Sequence, residues 1–444
     1  MKRLFLPGGG CLLVAALFCA LLTPGATTAQ TDVMTPERYA QLRAVHNVAI
    51  SPDGNLIAYT LVVPRNPFVE DDGKAYYHLY TVDRNGQSRA WVTGDVRATD
   101  PAFTPDGRYI SYLAERDEDD HDALYVIPVA GGESRKVIEF PTDIKAYAWA
   151  PNSREVAFLA KDSLPDEIEK LEDMGFDQEI YEEDWQPVRI WVLDTEDSAA
   201  VPRRLDIEGS ARELHWSPEG AYLATTIAPT PLVDDRYMFR KVTLVDPYTG
   251  TILRQYATEG KLGDMAFSPD GQHLAFIAGV DINDPKEGEL WMGSVDSDEI
   301  TKLVTDFDGH VARIGWKDDE TVLFLADVHV HTGLGRVNTD GSGMTMKRFQ
   351  DGPVFRYMKI AADGNTMVLR GSDYNYPAEV FVAPTVDEEP TPERLTVTNP
   401  ELSDIRFALQ EVVNFTARDG LGLEGILSYP LDYDESKRYP VVMT

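Results

Sequence analysis

Phe267-Ser268-Pro269-Asp270-Gly271 leads, after two residues, into the apolar run Leu274-Ala275-Phe276-Ile277. The first five residues read as a tight turn. Proline fixes φ at the first corner, aspartate tolerates the second, and glycine takes the positive φ that follows. The run behind it has the composition of a buried strand. The pairing of turn and strand recurs along the chain. Clear copies are Ile50-Ser51-Pro52-Asp53-Gly54, Phe103-Thr104-Pro105-Asp106-Gly107, Trp149-Ala150-Pro151-Asn152-Ser153 and Trp216-Ser217-Pro218-Glu219-Gly220. Weaker ones are Trp316-Lys317-Asp318-Asp319-Glu320 and Ile360-Ala361-Ala362-Asp363-Gly364. Counted from the second residue, the spacings are 53, 46, 67, 51, 49 and 44 residues.

Each interval holds further strands of one type, such as Leu79-Tyr80-Thr81-Val82-Asp83, Ile190-Trp191-Val192-Leu193-Asp194 and Leu290-Trp291-Met292-Gly293. A polar turn then leads to a fourth, as at Ser134-Arg135-Lys136-Val137-Ile138. Four short strands at a period of about 45–50 residues predict a β-propeller blade. One blade cannot bury both faces of its sheet, whereas a ring of blades can. The expectation is an all-β, seven-bladed propeller of four-stranded blades within residues 45–410, its last blade degenerate. The residue before each turn is Ile, Phe or Trp, which predicts packing between blades. The Gly-His and Trp-Asp marks of WD repeats are missing, and the sialidase Asp-box fails because glycine follows aspartate directly.

The chain has 444 residues, with 74 Asp and Glu against 41 Lys and Arg, a net charge of −33. That balance argues against nucleic acid as a partner, since phosphate binding needs a basic face. A hydrophobic content of 43% excludes disorder as the general state. Residues 1–29 read as a secretory signal peptide. Lys2 and Arg3 precede the apolar run Cys11–Leu22, and Thr27-Thr28-Ala29 supplies small residues for cleavage. The run is too short to span a bilayer. The expectation is a periplasmic or secreted protein with no membrane attachment after cleavage and a charge of −35. Both cysteines, Cys11 and Cys19, lie in that segment, so no disulfide or cysteine-bound metal is expected in the mature chain. Residues 30–44 form a lead-in with a short helix, capped by Thr35 with Pro36 in its first turn.

The C-terminal stretch 411–444 has a different pattern. Residues 411–417 alternate as a strand, Asp419-Gly420 makes a hairpin turn, and Leu421–Tyr429 returns. Tyr439-Pro440-Val441-Val442-Met443 then starts a buried-type strand. With this segment the chain resembles the N-terminal part of a prolyl oligopeptidase-family serine peptidase, nearest the acylaminoacyl-peptidase and dipeptidyl-peptidase branches. Such proteins carry a propeller with recurring Ser-Pro-Asp-Gly turns. They enter an α/β-hydrolase domain through a segment like Ala417–Leu427 and a strand like Lys437–Val442. The resemblance implies acyl transfer from a peptide bond to serine, with histidine as base. No Gly-x-Ser-x-Gly elbow occurs here, and none of the eight histidines can be assigned to a triad. No catalytic residue is therefore assigned. The triad is expected beyond Thr444, residues 411–444 are read as the incomplete start of that domain, and the chain alone is expected to be inactive.

The 67-residue interval marks an insertion in the third blade, Lys161–Pro187, rich in carboxylates. It holds Asp166, Glu167, Glu169, Glu172 and Asp173, then Tyr181-Glu182-Glu183-Asp184-Trp185. Dipeptidyl peptidases of the family use a Glu pair on such an insertion to hold the substrate's amino group, and Glu182 and Glu183 resemble that pair. Paired carboxylates suit an ammonium with three donors. The competing reading is an exposed acidic loop in an acidic protein. His329 and His331 would share one face of a strand, but no third ligand stands near them, so no metal is assigned. Asp117–Asp120 with His121 reads as a solvated loop without EF-hand spacing. No cofactor is expected. The partners expected are short peptides, with homo-oligomerisation left open. An acidic channel would favour peptides with a positive N-terminus. The alternative class is a self-standing periplasmic propeller that binds a ligand or protein without catalysis.

Overall fold

The Pro-Asp-Gly turns set the geometry of the molecule. The structure, a computed structural model, describes residues 32–444 except 68, 117, 177, 179, 181, 184, 284–287, 351 and 387–389, and the side chain of Asp166. The expected signal peptide at 1–29 lies outside the described residues, as do Asp117, Tyr181 and Asp184. Gly54, Gly107, Gly220, Gly271 and Gly364 all take φ of +69° to +74°. In the third copy Ser153 takes the same place at +57°. The hydroxyl residue of the motif completes the turn. Ser51, Thr104 and Ser268 donate to Asp53, Asp106 and Asp270 at 2.5–2.6 Å. Each aspartate then accepts the N–H two residues on, from Asn55, Arg108 and Gln272.

Each turn joins the first two strands of one blade. Blade 1 is β1 (Ala44–Ile50), β2 (Leu56–Val63), β3 (Tyr76–Asp83) and β4 (Ser88–Val92). Blade 2 is β5 (Thr99–Phe103), β6 (Tyr109–Ala114), β7 (Ala123–Pro128) and β8 (Arg135–Ile138). Blade 3 is β9 (Ala146–Trp149), β10 (Glu155–Lys161), β11 (Val188–Asp194) and β12 (Arg203–Arg204). Blade 4 is β13 (Ser210–Trp216), β14 (Leu223–Ala228), β15 (Lys241–Val245) and β16 (Ile252–Gln255). Blade 5 is β17 (Leu262–Phe267), β18 (His273–Ala278), β19 (Glu289–Ser294) and β20 (Ile300–Lys302). Blade 6 is β21 (His310–Asp318), β22 (Thr321–Val328), β23 (His331–Asn338) and β24 (Thr345–Phe349). Blade 7 is β25 (Val354–Ile360), β26 (Thr366–Asp373), β27 (Tyr376–Pro384) and β28 (Glu393–Arg394). All seven sheets are antiparallel and in sequence order, so the chain is a seven-bladed propeller as expected.

The core divides into seven apolar clusters, one at each junction between blades. Alternation along a strand serves two junctions at once. In β2, Ile57, Tyr59 and Leu61 pack toward blade 7, and Ala58 packs toward blade 2. Each fully buried leucine, isoleucine or phenylalanine stabilises such a junction by about 1.5–3 kcal/mol. The aromatic residue before each turn bridges blades, as expected. Indole N–H groups donate from Trp149 to Ser111 Oγ at 2.9 Å, from Trp216 to the Ala148 carbonyl at 3.1 Å, and from Trp316 to the Ala266 carbonyl at 2.9 Å. Each bond reaches the preceding blade.

The ring closes between blades 7 and 1 without sharing a strand. Asn399, almost fully buried, takes over the task. Its Oδ1 accepts the Arg43 N–H at 2.9 Å, and its Nδ2 donates to the Arg43 carbonyl at 2.7 Å. Buried Glu379 holds the neighbouring segment through Thr396 and Thr398. Ahead of the ring, α1 (Pro36–Tyr39) starts at Thr35, whose hydroxyl caps it by accepting the Arg38 N–H. After the ring, β29 (Gln410–Thr416) and β30 (Gly422–Ser428) form the expected hairpin. Val441, Val442 and Met443 make no strand and are exposed. A strand of this type exists only through sheet neighbours, and none of the described residues provides them. No helix among the described residues is long and apolar enough to cross a membrane.

Candidate functional site

The blades present two unlike ends. One carries the seven β-turns between first and second strands. The other carries the connections between second and third strands. These are two residues long in blades 6 and 7, twelve in blades 1 and 4 and 26 in blade 3. The hairpin β29–β30 also sits at this second end. Glu424 of β30 accepts from Arg348 at the end of β24 at 2.7 Å, and from the backbone at Val330 in the blade 6 connection.

The blade 3 insertion leaves the sheet at Lys161 and re-enters at Val188, and these two residues are register partners. It is thus a closed excursion on an intact blade. Within it α2 (Asp166–Asp173) is amphipathic. Ile168 and Leu171, one turn apart, line the side toward the ring yet stay exposed, as do Glu167, Glu169 and Asp173. The blade 4 connection contributes a second helix, α3 (Val233–Met238). Between the two lies a cavity of about 1200 Å3. Apolar lining comes from Ile168, Leu171, Phe176, Ile180 and Trp185 of the insertion and from Leu232 and Val233. Phe176 and Ile180 are each 55% exposed, a large apolar surface with no cover.

Glu182 lies on the lining of this cavity, and Glu183 does not. Both are exposed, in the turn that the Glu183 N–H closes onto the Ile180 carbonyl. Glu182 adopts φ of +72°, which disfavours a non-glycine residue by about 1 kcal/mol and aims the side chain differently from its neighbour. The structure therefore keeps the two carboxylates adjacent in sequence but gives only one of them to the cavity.

The residues that the sequence reading missed stand on blade 4. Arg212, Glu213, Arg236 and Arg240 line the opposite wall. Buried Arg240 donates to Glu213 at 3.0 Å, to Thr226 at 3.0 Å and to the Leu262 carbonyl at 2.9 Å. Burial raises the Glu213 carboxyl above its ordinary range, and Arg240 opposes that. Arg236 Nε is buried without a hydrogen-bond partner among the described residues. Length alone gave no signal: blade 4 has a twelve-residue connection, and so does blade 1.

Glu213 also belongs to the axial wall. The first strand of each blade is innermost, and six of the seven carry a β-bulge near the middle. A bulge re-aims side chains, and here it places His46 and Asn47, Asp100, Glu213 and Asp264 among the bulged residues. Asp100 and Glu213 take positive φ, 47° and 65°. Groups on four blades act on one another across the axis: Lys359 on blade 7 interacts with Glu213, Asp264 and Arg313. His215 is pushed down to about 4, first by burial and then by Lys359. The wall is thus mixed, with carboxylates on blades 2, 4 and 5 and cations on blades 6 and 7. This corrects the expectation of an acidic channel. Carboxylates of the blade 3 insertion, among them Glu167, Glu169, Glu172 and Asp173, are exposed instead.

Two other readings change. His329 and His331 do not share a strand face, because His329 is in the turn between β22 and β23 at φ +55°. Two-residue hairpin turns demand such backbone, and this one draws on histidine. Asp119 is not solvated. Its carboxylate accepts from Lys136 at 2.6 Å, from Tyr125 at 2.6 Å and from the Arg116 N–H at 3.1 Å.

No family model matches the chain. It is 22% identical over 93% of its length to an uncharacterized peptidase of Bacillus subtilis, YuxL, and 23% identical over 96% of its length to dipeptidyl-peptidase 5 of Porphyromonas gingivalis. It spans 66% and 64% of these two proteins, a little under two thirds. Its fold is similar to that of an acylaminoacyl peptidase solved with Z-Gly-Gly-Phe-chloromethyl ketone. The TM-score is 0.67 at 16% identity, covering 91% of this chain and 60% of that one. The resemblance drawn from the turns and the hairpin is borne out: the homologues are peptidases, and this chain has the propeller portion of such proteins.

Proposed function

We propose that the chain is the substrate-gating propeller of an exported serine peptidase that hydrolyses short peptides. The Ser-His-Asp machinery would belong to an α/β-hydrolase domain entered through β29–β30, so the propeller alone is inactive. One observation carries this reading. The apolar cavity, the carboxylate of Glu182 and the hairpin leading away from the ring all lie at the same end of the blades. A cavity of this size with apolar walls and a few polar groups suits a peptide of a few residues. In such an arrangement the ring does no bond chemistry. It restricts access by size, and Glu182 holds the free amino group through charge-assisted hydrogen bonds.

Glu182→Gln and Glu183→Gln test the anchor in the chain joined to its hydrolase domain. Glu182→Gln is expected to raise KM for free-amino dipeptide substrates about tenfold or more, with Glu183→Gln weaker. Unchanged turnover of those substrates in both variants removes the anchor. Failure to find a His-Gly-Gly-Pro loop and a Gly-x-Ser-x-Gly elbow in the reading frame after Thr444 removes the peptidase reading. Export is tested by N-terminal sequencing of the secreted or periplasmic protein, with Gln30 expected first.

A further inference from the structure

The inner strands of blades 6 and 7 hold a group of side chains that the cavity does not use. Tyr357 lies on β25, and Arg370 is its register partner on β26. Lys359 follows two residues later on the same face of β25. Arg313 comes from the neighbouring inner strand, β21. The Arg313 and Arg370 guanidinium carbons and the Lys359 ammonium each stand 5.9 Å from the centre of the Tyr357 ring. One aromatic ring therefore gathers three cations.

Such a cluster is costly unless something compensates it, because like charges gathered on one ring repel. In this chain carboxylates outnumber cations by 74 to 41, so compensation was available. Other cations do receive it: Arg356 pairs with Asp327 at 2.6 Å, and Arg240 with Glu213 at 3.0 Å. Among the described residues none lies within 4 Å of Arg313, Lys359 or Arg370 as a carboxylate partner. Arg313 and Arg370 donate only to backbone carbonyls, those of Ala312 and His46. Lys359 is exposed, and the carboxylates that act on it, Asp264 and Glu213, reach it from blades 5 and 4 without pairing. Burial and the nearby Arg313 hold Arg370 below its usual range, the mark of a cation short of negative charge.

We infer that Arg313, Lys359 and Arg370, gathered around Tyr357, form an anion subsite on the axial wall that takes a carboxylate of a short peptide. A guanidinium pair matches the two oxygens of a carboxylate, and the ammonium adds a third donor. Every unblocked peptide carries one such group at its C-terminus. The subsite lies across the axis from Glu213, which also lines the cavity holding Glu182. A peptide reaching from cavity to channel would thus meet carboxylates at its amino end and cations at its carboxyl end. This rests on the reading of the ring as a peptide gate and narrows it to peptides with an anionic end.

The test uses the 444-residue chain and N-acetylated tripeptides, whose blocked amino end removes any contribution of Glu182. Binding of acetyl-Ala-Ala-Ala as free acid, acetyl-Ala-Ala-Ala amide and acetyl-Ala-Glu-Ala amide is measured by calorimetry at low and high salt. The free acid is expected to bind about tenfold tighter than the neutral amide, with the difference shrinking as salt rises. In Lys359→Gln and Arg313→Gln the preference is expected to fall to within about twofold. Both keep their stems, and an unchanged denaturation midpoint confirms their fold. If acetyl-Ala-Glu-Ala amide matches the free acid, the subsite stands and takes a side-chain carboxylate as readily as a C-terminal one. Equal binding of the free acid and neutral amide to the unaltered chain overturns the subsite and leaves the gate standing. No binding of any peptide overturns both.

Discussion

The two ends of the ring are built from the same strands and differ in almost everything else. At the turn end, five glycines share φ of about 70°, and each turn leans on the one before it. A side chain on Gly107 would meet Pro52, one on Gly220 would meet Pro151, and one on Gly54 would meet Thr366 across the seam. At the insertion end the connections range from two residues to about 26, apolar side chains lie uncovered, and Glu182 takes strained backbone. The turn end is constrained by contact with its own repeats. The insertion end is free of that constraint and carries the features that suit a ligand. Repetition secures the ring and irregularity gives it chemistry.

The contrast breaks most readily at Gly364. A Cβ there would lie on the Lys317 carbonyl, at a φ that L residues disfavour. Gly364→Ala is expected to lower stability by about 3 kcal/mol or more, read as a shift of the urea midpoint. Gly420→Ala in the hairpin has the same kind of φ but open space around it, so the ring's midpoint should hardly move. Next in size is His215, on the axis between the two ends. Held at about 4 in the fold against an ordinary 6.5, it binds fewer protons folded than unfolded. The stability this gives is present above pH 6.5 and is lost as pH falls toward 4. His215→Gln should remove about 2–3 kcal/mol of that pH dependence, seen in urea midpoints from pH 7 to 4.

Ser153 sharpens the rule at the turn end. Its left-handed backbone favours glycine, yet its hydroxyl accepts the Asp106 N–H of the preceding blade at 3.0 Å. The two effects oppose, so Ser153→Gly should change stability by less than about 1 kcal/mol. The smallest stability effect belongs to the insertion end. Phe176→Ser should leave the midpoint within about 0.5 kcal/mol, because the ring is 55% exposed, while peptide binding weakens severalfold. A large loss of stability there would erase the distinction between the ends.

The turn end was legible in the sequence because Ser-Pro-Asp-Gly states its own backbone. Hydroxyl, ring, carboxylate and absent Cβ each have one geometric use. The boundaries of the blade 3 insertion were legible too, since Lys161 and Val188 are where strand composition stops and resumes. The axial cluster was not. Lys359 and Arg370 share one hairpin of blade 7, but Arg313 is more than forty residues earlier and joins them only when blades 6 and 7 turn toward a common axis. The bulges that aim Glu213 and Asp264 inward are set by strand register and have no sequence mark of their own. His329 shows the same limit, since alternate spacing reads as a strand until the turn is seen.

Asn399 and Arg43 meet across 356 residues, whereas nearly every strand pairs with its immediate successor. Hairpins of consecutive strands close short loops and form quickly, so each blade can assemble while its neighbours are still unformed. The Asn399 clasp closes a loop of 356 residues and requires the blades between to be in place. Folding is therefore expected to run around the circle and end at the seam, with unfolding starting there. On that course the Asn399 clasp and the apolar junction behind it bear on how long the ring stays shut more than on how fast it is made.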